Sequence, residues 1–364
     1  MDAKFSSSRS TKLSGTLLFI LLVTGLGAAA LFLDWAAGRS PFDLFSLTLP
    51  IWVSAVASTA LGIWVVPMLR ALKAGQIIRE DGPQAHLKKA GTPTMGGIFF
   101  IPVALVVALC WSGFSTQVVA VSALTLSYAA IGWLDDWQII RRKSNKGISP
   151  RTKLNLQIGF AVAFCLWLKF TQPESITSIA LPLGLTLPLG FIFWLLAGFV
   201  LVAESNATNL TDGLDGLAGG TAAIAFLGLG ALIAPNHPEL MLMCACFSGS
   251  CLGFLVHNRN PARVFMGDTG SLAIGGALAA IALLSNSLFA LLILGGLFLV
   301  ETLSVIAQVS YYKATKGPDG IGKRLFKMSP FHNHLVLDGW SEPRIVALFY
   351  LVAGLLACLT LAIC

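Results

Sequence analysis

The sequence predicts an all-α, polytopic membrane protein of about eleven transmembrane helices, with its chemistry in loops on the cytoplasmic face. Three observations carry that expectation. Hydrophobic residues make up 56% of the chain and charged residues only 11%, too few charges to cover a soluble globule of 364 residues. Apolar runs of spanning or nearly spanning length recur from one end to the other. When these runs are alternated from a cytoplasmic N-terminus, all but two of the 24 lysines and arginines fall on the inner side.

Residues 1–12 are polar and carry Lys4, Arg9 and Lys12. The run at 13–33 is long for a cleaved signal core and reads as an uncleaved anchor. Further runs lie at 50–69, 95–111, 117–134, 154–170, 187–203, 217–234, 239–256, 270–284, 287–310 and 344–363. The shortest is 270–284, and the break at Ser285-Asn286-Ser287 reads as either a kink or a loop. Segments 1–12, 70–94, 135–153, 204–216, 257–269 and 311–344 are then cytoplasmic, and the C-terminus is outside. Only Arg39 and Lys169 stay near the outer face. Among the outer pieces, 179–188 alternates apolar residues with Pro and Gly, as a small hairpin or surface segment does. No repeat or soluble domain is visible. Residues 1–49 form an N-terminal extension with an additional span, and 50–364 form one membrane-embedded domain.

The net charge of +7 is interleaved with apolar spans, which suits juxtamembrane loops and not nucleic acid. The seven cysteines lie in or beside apolar stretches, with neither zinc-ligand nor disulfide-framework spacing.

Every polar motif falls on the inner side. In 205–220, Asn206, Asn209, Asp212 and Asp215 recur at intervals of three, so a helical stretch lines them along roughly one face. Oxygen-bearing groups beside a bilayer suit a hard cation or a polar head group; the plainer alternative is a set of turn and helix caps. Asp135 and Asp136 end the fourth run, where adjacent carboxylates resist joint ionisation and acids oppose a helix C-terminal dipole. A cation or a shared proton relieves both. Lys88 and Lys89 precede a Gly/Pro/Thr turn through Thr94 into a helix, an arrangement that makes an anion site. Asp268 sits between Gly267 and Thr269-Gly270 at a helix start, as either an N-cap or a metal ligand, with Phe265 placed to stack on a flat ring. His332 and His334 lack cysteine partners, so donors or proton carriers to phosphate fit better than zinc. Together these groups suit Mg²⁺-assisted phosphoryl transfer between a water-soluble donor and a lipid acceptor.

The chain resembles the bacterial phospho-N-acetylmuramoyl-pentapeptide transferase family, of the polyprenyl-phosphate N-acetylhexosamine-1-phosphate transferase superfamily. The matching pieces are Gly91-Thr-Pro-Thr-Met-Gly-Gly97, Asp135-Asp136, Asn209-Leu-Thr-Asp-Gly-Leu-Asp-Gly-Leu-Ala218, Val264-Phe-Met-Gly-Asp-Thr-Gly-Ser271, Glu301-Thr-Leu-Ser-Val-Ile-Ala-Gln308, Met328-Ser-Pro-Phe-His-Asn-His334 and Gly339-Trp-Ser-Glu-Pro-Arg344. The resemblance implies that residues 50–364 are a membrane-embedded glycosyl-phosphate transferase domain. It implies transfer from UDP-N-acetylmuramoyl-pentapeptide to undecaprenyl phosphate, with UMP released and lipid I formed. It implies a requirement for Mg²⁺, a homodimer, and a plasma-membrane location with N-terminus and active site cytoplasmic. By position, Asp268 would be the metal ligand and Asp135 the base, with Asp136 beside it and His332 in the catalytic centre. Lys89, Thr94, Asn209, Asp212, Asp215, Phe265, Gln308, Asn333 and His334 would line the donor and phosphate site.

Three departures stand out. Asn333 replaces the middle of three histidines usual in the family, and Ile139 stands where a lysine often follows the paired acids, leaving Lys143 and Lys153 as candidates for its charge. The span at 13–33 lies outside the motifs. Two rival readings remain at this level. One is a sister enzyme transferring N-acetylglucosamine-1-phosphate to the same lipid, disfavoured by the Met328–His334 context and the Gly339–Arg344 tail. The other is an ion-coupled transporter, disfavoured because the acids lie at the inner boundary and only Glu301 is well within a run.

Overall fold

The apolar runs are helical in the computed structural model, which describes residues 13–72, 89, 91–142, 144 and 146–364. Two depart from expectation: 287–310 is two helices, and the helix expected at 187–203 is shifted to Ile192–Thr211. The polar N-terminal segment with Lys4, Arg9 and Lys12, and the sequence candidates Lys88 and Lys143, lie outside the described residues. Helix α1 spans Gly15–Ala36, α2 Thr48–Ala71, α3 Gly97–Trp111, α4 Thr116–Arg142 and α5 Pro150–Thr171. After a short outer segment come α6 Ile192–Thr211, α7 Leu217–Ile233, α8 Pro238–Asn258, α9 Gly267–Leu284, α10 Leu288–Leu294, α11 Gly296–Ala314, α12 Phe331–Leu337 and α13 Glu342–Ile363.

Among the described residues, eight helices are long and apolar enough to cross a membrane, nine if α10 and α11, bent by 72°, make one span. The expected eleven is reached only when the shorter helices α3 and α7 are added, and both coincide with runs read from the sequence. Ser285-Asn286-Ser287 is a turn between α9 and α10, not a kink; the sharp bend comes later, at Gly295. The segment at 179–188 is a hairpin: β1 (Ser178–Ala180) pairs antiparallel with β2 (Thr186–Pro188), Ile179 facing Leu187.

Local signals set several helix starts. Ser14 caps α1 by accepting from the Leu17 N–H at 3.1 Å, and Ser149 caps α5 with Pro150 in its first turn. Packing does not follow hydropathy: the most apolar spans, α1 and α13, are largely exposed. In α8 and α9, rich in Gly, Ala, Ser and Cys that let neighbouring backbones approach, 94% and 89% of the best spanning stretch is buried, against 28% in α1 and α5; the first pair is therefore central and the second peripheral. Helix α8 lies against α2, α3 and α7, while α9 lies against α4 and α6. In an apolar solvent, contacts and interhelical hydrogen bonds hold such a bundle together. Ser58 Oγ donates to the Ser250 carbonyl at 3.1 Å, Ser248 Oγ to Ala223 at 2.9 Å and Thr208 Oγ1 to Ser271 at 2.7 Å. Such bonds contribute about 0.6 kcal/mol each. The C-terminal ends of α4, α6 and α8 and the N-terminal ends of α5, α9 and α13 meet at one end of the bundle.

Candidate active site

The end of α4 and the start of α9 make the centre of the site. A helix start carries orphan N–H groups, and here the orphan groups of α9 are satisfied from another helix. Asp136 accepts from the Asp268 N–H at 3.2 Å, the Thr269 N–H at 3.0 Å and the Thr269 hydroxyl at 2.7 Å. Asp268 is therefore not the N-cap; Asp136 does that work, and the Asp268 carboxylate is left for other partners. Gly267 permits this approach. Its φ of 72° is left-handed, and a Cβ there would stand 2.6 Å from Asp136 Oδ2 and 2.7 Å from Thr94 Oγ1.

Asp268 Oδ1 accepts from Asn209 Nδ2 at 2.8 Å, and Asn209 also donates to Ser271 Oγ at 2.9 Å. Asp268 Oδ2 is ion-paired to Lys153 on the first turns of α5. Lys153 is thus a candidate for the charge that Ile139 lacks; the other candidate, Lys143, lies outside the described residues. Asp135, adjacent to Asp136 but pointing elsewhere, accepts from the Ile148 N–H at 3.0 Å and feels the charges of Asp268 and Lys153. Asp212 ends α6 as its C-cap. Burial, and then the Asp268 charge, push its carboxyl up to about 7, against a Gly267 N–H that favours the ionised form.

The three-residue spacing of 206–215 does not survive as one helical face, because α6 stops at Thr211. Asn206 donates to Gln157 Oε1 at 3.1 Å, a packing contact with α5. Asp215, in the turn before α7, accepts from Lys89 Nζ at 2.7 Å, Asn260 Nδ2 at 3.0 Å and the Ala262 N–H at 3.0 Å. Lys89 also pairs with Glu342 Oε2 at 2.7 Å. These residues form a second cluster. Phe265 is tied by its backbone to the turn before α3, with its N–H donating to the Pro93 carbonyl and its carbonyl accepting from the Gly96 N–H, both at 2.8 Å. Its ring is half-buried and, among the described residues, has no aromatic partner. Thr94 is buried beside Gly267.

The motif His332-Asn333-His334 divides. His332 is fully buried with Glu301: its Nδ1 lies 3.0 Å from Glu301 Oε2, and its N–H donates to Oε1 at 3.2 Å. Its Nε2 has no hydrogen-bond partner among the described residues and lies against Gly213, next to Asp212. Asn333 is buried, with Oδ1 likewise unpartnered among the described residues. His334 turns away to Asp338 at 3.4 Å and packs on Phe326 and Phe331. Gln308 accepts from the Leu325 and Phe326 N–H groups at 3.0 and 2.8 Å, so it pins the loop before α12.

The structure thus gathers Asp135, Asp136, Asn209, Asp212 and Asp268 at one centre, with Lys89 and Asp215 in the neighbouring cluster, and sets His334 and Gln308 apart. It adds Glu301, Glu342 and Asn260. Glu301 carried a signal, since an acid inside an apolar run needs a partner. Glu342 before Pro343 reads as an ordinary acidic helix start, and Asn260 carries no signal at all.

No three His, Cys, Asp or Glu side chains among the described residues stand close enough to hold an ion by themselves. A magnesium site does not require three, because Mg²⁺ takes one or two carboxylates and completes its shell with water and substrate phosphate. Asp268 fits that pattern. Its side chain is 24% exposed, its neighbours are oxygen donors, and its Oδ2 already holds the cationic group of Lys153.

Comparison with known proteins gives the family. Residues 118–286 match the model of glycosyl transferase family 4, and residues 89–101 match signature 1 of the phospho-N-acetylmuramoyl-pentapeptide-transferases. The chain is 71% identical over 364 residues to the phospho-N-acetylmuramoyl-pentapeptide-transferase of Nostoc sp., covering 100% of this chain and 99% of the relative. It is 69% identical over 363 residues to that of Nostoc punctiforme, covering 100% of each. It is 63% identical over 357 residues to that of Rippkaea orientalis, covering 98% of each. Residues 1–49, outside the motifs, are therefore shared with the first two relatives.

Proposed function

The chain belongs to the phospho-N-acetylmuramoyl-pentapeptide-transferase family, and on that footing we propose how its inner end performs the transfer. The protein moves phospho-N-acetylmuramoyl-pentapeptide from its UDP conjugate to undecaprenyl phosphate. An oxygen of the lipid phosphate bonds to the sugar-bearing phosphorus, the bond from that phosphorus to the bridging oxygen breaks, and UMP leaves. The product is the first lipid-linked peptidoglycan precursor. The observation that carries the reading is the meeting of Asp135 and Asp212 about Asp268, which is paired with Lys153, at the end of the bundle where the helix-start turns converge.

Every reacting group is an anionic phosphate, so the protein supplies charge and alignment more than covalent chemistry. Asp135 takes the proton of the acceptor phosphate. Asp136 fixes the start of α9 and thereby aims Asp268, while Asn209 holds the other carboxylate oxygen in place. Asp268 would hold Mg²⁺, which would supply positive charge to the pyrophosphate. Lys153 shares that charge role. Lys89, Asp215 and the Phe265 ring hold the nucleoside end of the donor, with Thr94 behind them. His332, set by Glu301, presents Nε2 beside Asp212, and Asn333 offers a hydrogen bond but no proton. Gln308 and His334 shape the loop that bounds the peptide side.

The site faces the cytoplasm of the plasma membrane, a placement supported by the basic residues crowding the same segments. The protein works as a homodimer. One assay tests the central reading: purified protein in detergent is given UDP-N-acetylmuramoyl-pentapeptide and undecaprenyl phosphate, with Mg²⁺ or with chelator. Stoichiometric UMP and lipid product in Mg²⁺ alone is expected. Consumption of UDP-N-acetylglucosamine instead would move the chain to the sister chemistry. Mass in detergent checks the dimer.

A further inference from the structure

Helix α1 lays one stripe, Leu18, Leu22, Leu26, Gly27 and Ala30, against the bundle, while Leu17, Ile20, Leu21, Leu31 and Phe32 are exposed. At the end away from the candidate site, Asp34 holds the start of α2. At the candidate-site end, Gly15 lies on the backbone of Asn260 so closely that any Cβ would overlap it, standing 2.8 Å from the Asn260 nitrogen and 2.9 Å from its carbonyl carbon. Four residues further on, the Phe19 ring lies under the Arg259 guanidinium, 5.1 Å from its carbon. Leu18 and Phe19 also close one side of a narrow crevice whose other walls are Asp215, Asn260, Val346 and Tyr350.

Asn260 is not a neutral place to press. Its Nδ2 donates to Asp215 Oδ2 at 3.0 Å and to Glu342 Oε2 at 3.3 Å, and these are the two carboxylates that grip Lys89. A path of direct contacts therefore runs from Gly15 to Asn260, from Asn260 to both acids, and from the acids to Lys89. The arrangement is over-determined at the α1 end, since backbone meets backbone with no side chain to give way.

We propose that α1 is a positioning element of the donor site: Gly15 seats the helix on Asn260, and that contact fixes the geometry of Asp215, Glu342 and Lys89. The N-terminal helix thus acts on the reaction through donor binding and not merely as an anchor. This rests on the reading of Lys89 and Asp215 as donor-binding residues.

The test uses the full-length protein in detergent with Gly15→Leu, Asn260→Ala, Lys89→Ala and the Gly15→Leu/Asn260→Ala pair. KM is measured for the UDP donor and for undecaprenyl phosphate, together with kcat and the thermal midpoint. Gly15→Leu should raise the donor KM about fivefold or more, leaving kcat within about twofold and the acceptor KM and midpoint unchanged. Asn260→Ala should raise the donor KM similarly. Because both act through one contact, the pair should add little beyond either alone. If Gly15→Leu misfolds, Gly15→Ala places one methyl in the same overlap and should raise the donor KM about twofold. An unchanged donor KM in either Gly15 variant, with Asn260→Ala and Lys89→Ala both raised, overturns the role of α1 alone. Fully multiplicative effects in the pair overturn it too, as does a midpoint that falls along with kcat. Unchanged donor KM in both Asn260→Ala and Lys89→Ala would instead remove the donor-site reading and this inference with it.

Discussion

Two acids at opposite ends of the bundle use the same device. At the end away from the candidate site, Asp34 accepts from the Leu47 N–H at 3.0 Å, the Thr48 N–H at 2.9 Å and the Thr48 hydroxyl at 2.7 Å, capping α2 from another helix. At the candidate-site end, Asp136 accepts from the Asp268 N–H, the Thr269 N–H and the Thr269 hydroxyl, capping α9 in the same way. The neighbours differ. Arg39 Nε pairs with Asp34 at 3.0 Å, so that acid is neutralised where it stands. Asp136 has beside it Asp135 and Asp268, with Lys153 as the cation among them. One cap ends in a closed ion pair. The other delivers a second carboxylate, still partly exposed, into a crowded polar centre. A buried acid whose oxygens and charge are matched holds structure; an acid kept among like charges is held for chemistry.

The contrast can be broken by substitution. The largest effect should come from Asp268→Ala, which removes the carboxylate that Asp136 and Asn209 present. Turnover should fall by more than about a thousandfold with the thermal midpoint nearly kept, and normal activity at saturating Mg²⁺ would defeat the assignment. Next is Asp136→Asn, which leaves a side chain of the same shape but removes its charge from the start of α9. UMP release should drop about a hundredfold through a misaimed Asp268. Full turnover with a lowered midpoint would make Asp136 a plain counterpart of Asp34. Glu301 sharpens the comparison from a third position, because it too is buried with its oxygens matched, but its partner is the His332 ring. Glu301→Gln should reduce kcat about tenfold to a hundredfold while leaving both KM values near normal; a change confined to stability would return the pair to structure. The smallest catalytic effect should come from Asp34→Asn. It should lower stability by about 1–2 kcal/mol in a detergent unfolding series and leave turnover within about twofold, and a large loss of turnover would erase the distinction between the two ends.

Much of the fold was legible because lipid imposes a one-dimensional rule. A helix that must cross hydrocarbon declares itself as an apolar run, and its ends declare themselves by charge. The runs at 13–33 and 344–363 became α1 and α13, and the alternation at 179–188 became a hairpin. The site was legible as an inventory. Asp135, Asp136, Asn209, Asp212 and Asp268 were singled out as residue types and do converge. Their partners were not legible. Nothing local distinguishes Asp135 from Asp136, yet one faces Ile148 and Lys153 while the other disappears under α9. The regular spacing through 206–215 suggested one face, and the end of α6 at Thr211 split it into a packing residue, a carboxylate orienter and two turn acids.

What the sequence by itself determined is the class of molecule, the order of its spans, the gathering of its polar motifs at one end and the family it resembles. Each of these follows from composition, periodicity or motif, which are properties of neighbours along the chain. Only the tertiary structure decided that Lys153 meets Asp268, that Glu301 sets His332, and that the first helix rests on Asn260 beside the grip on Lys89. Those partners are far apart in sequence. Which side chains meet is fixed by how closely two helix backbones approach and how each is rotated, and close packing of the whole bundle sets both.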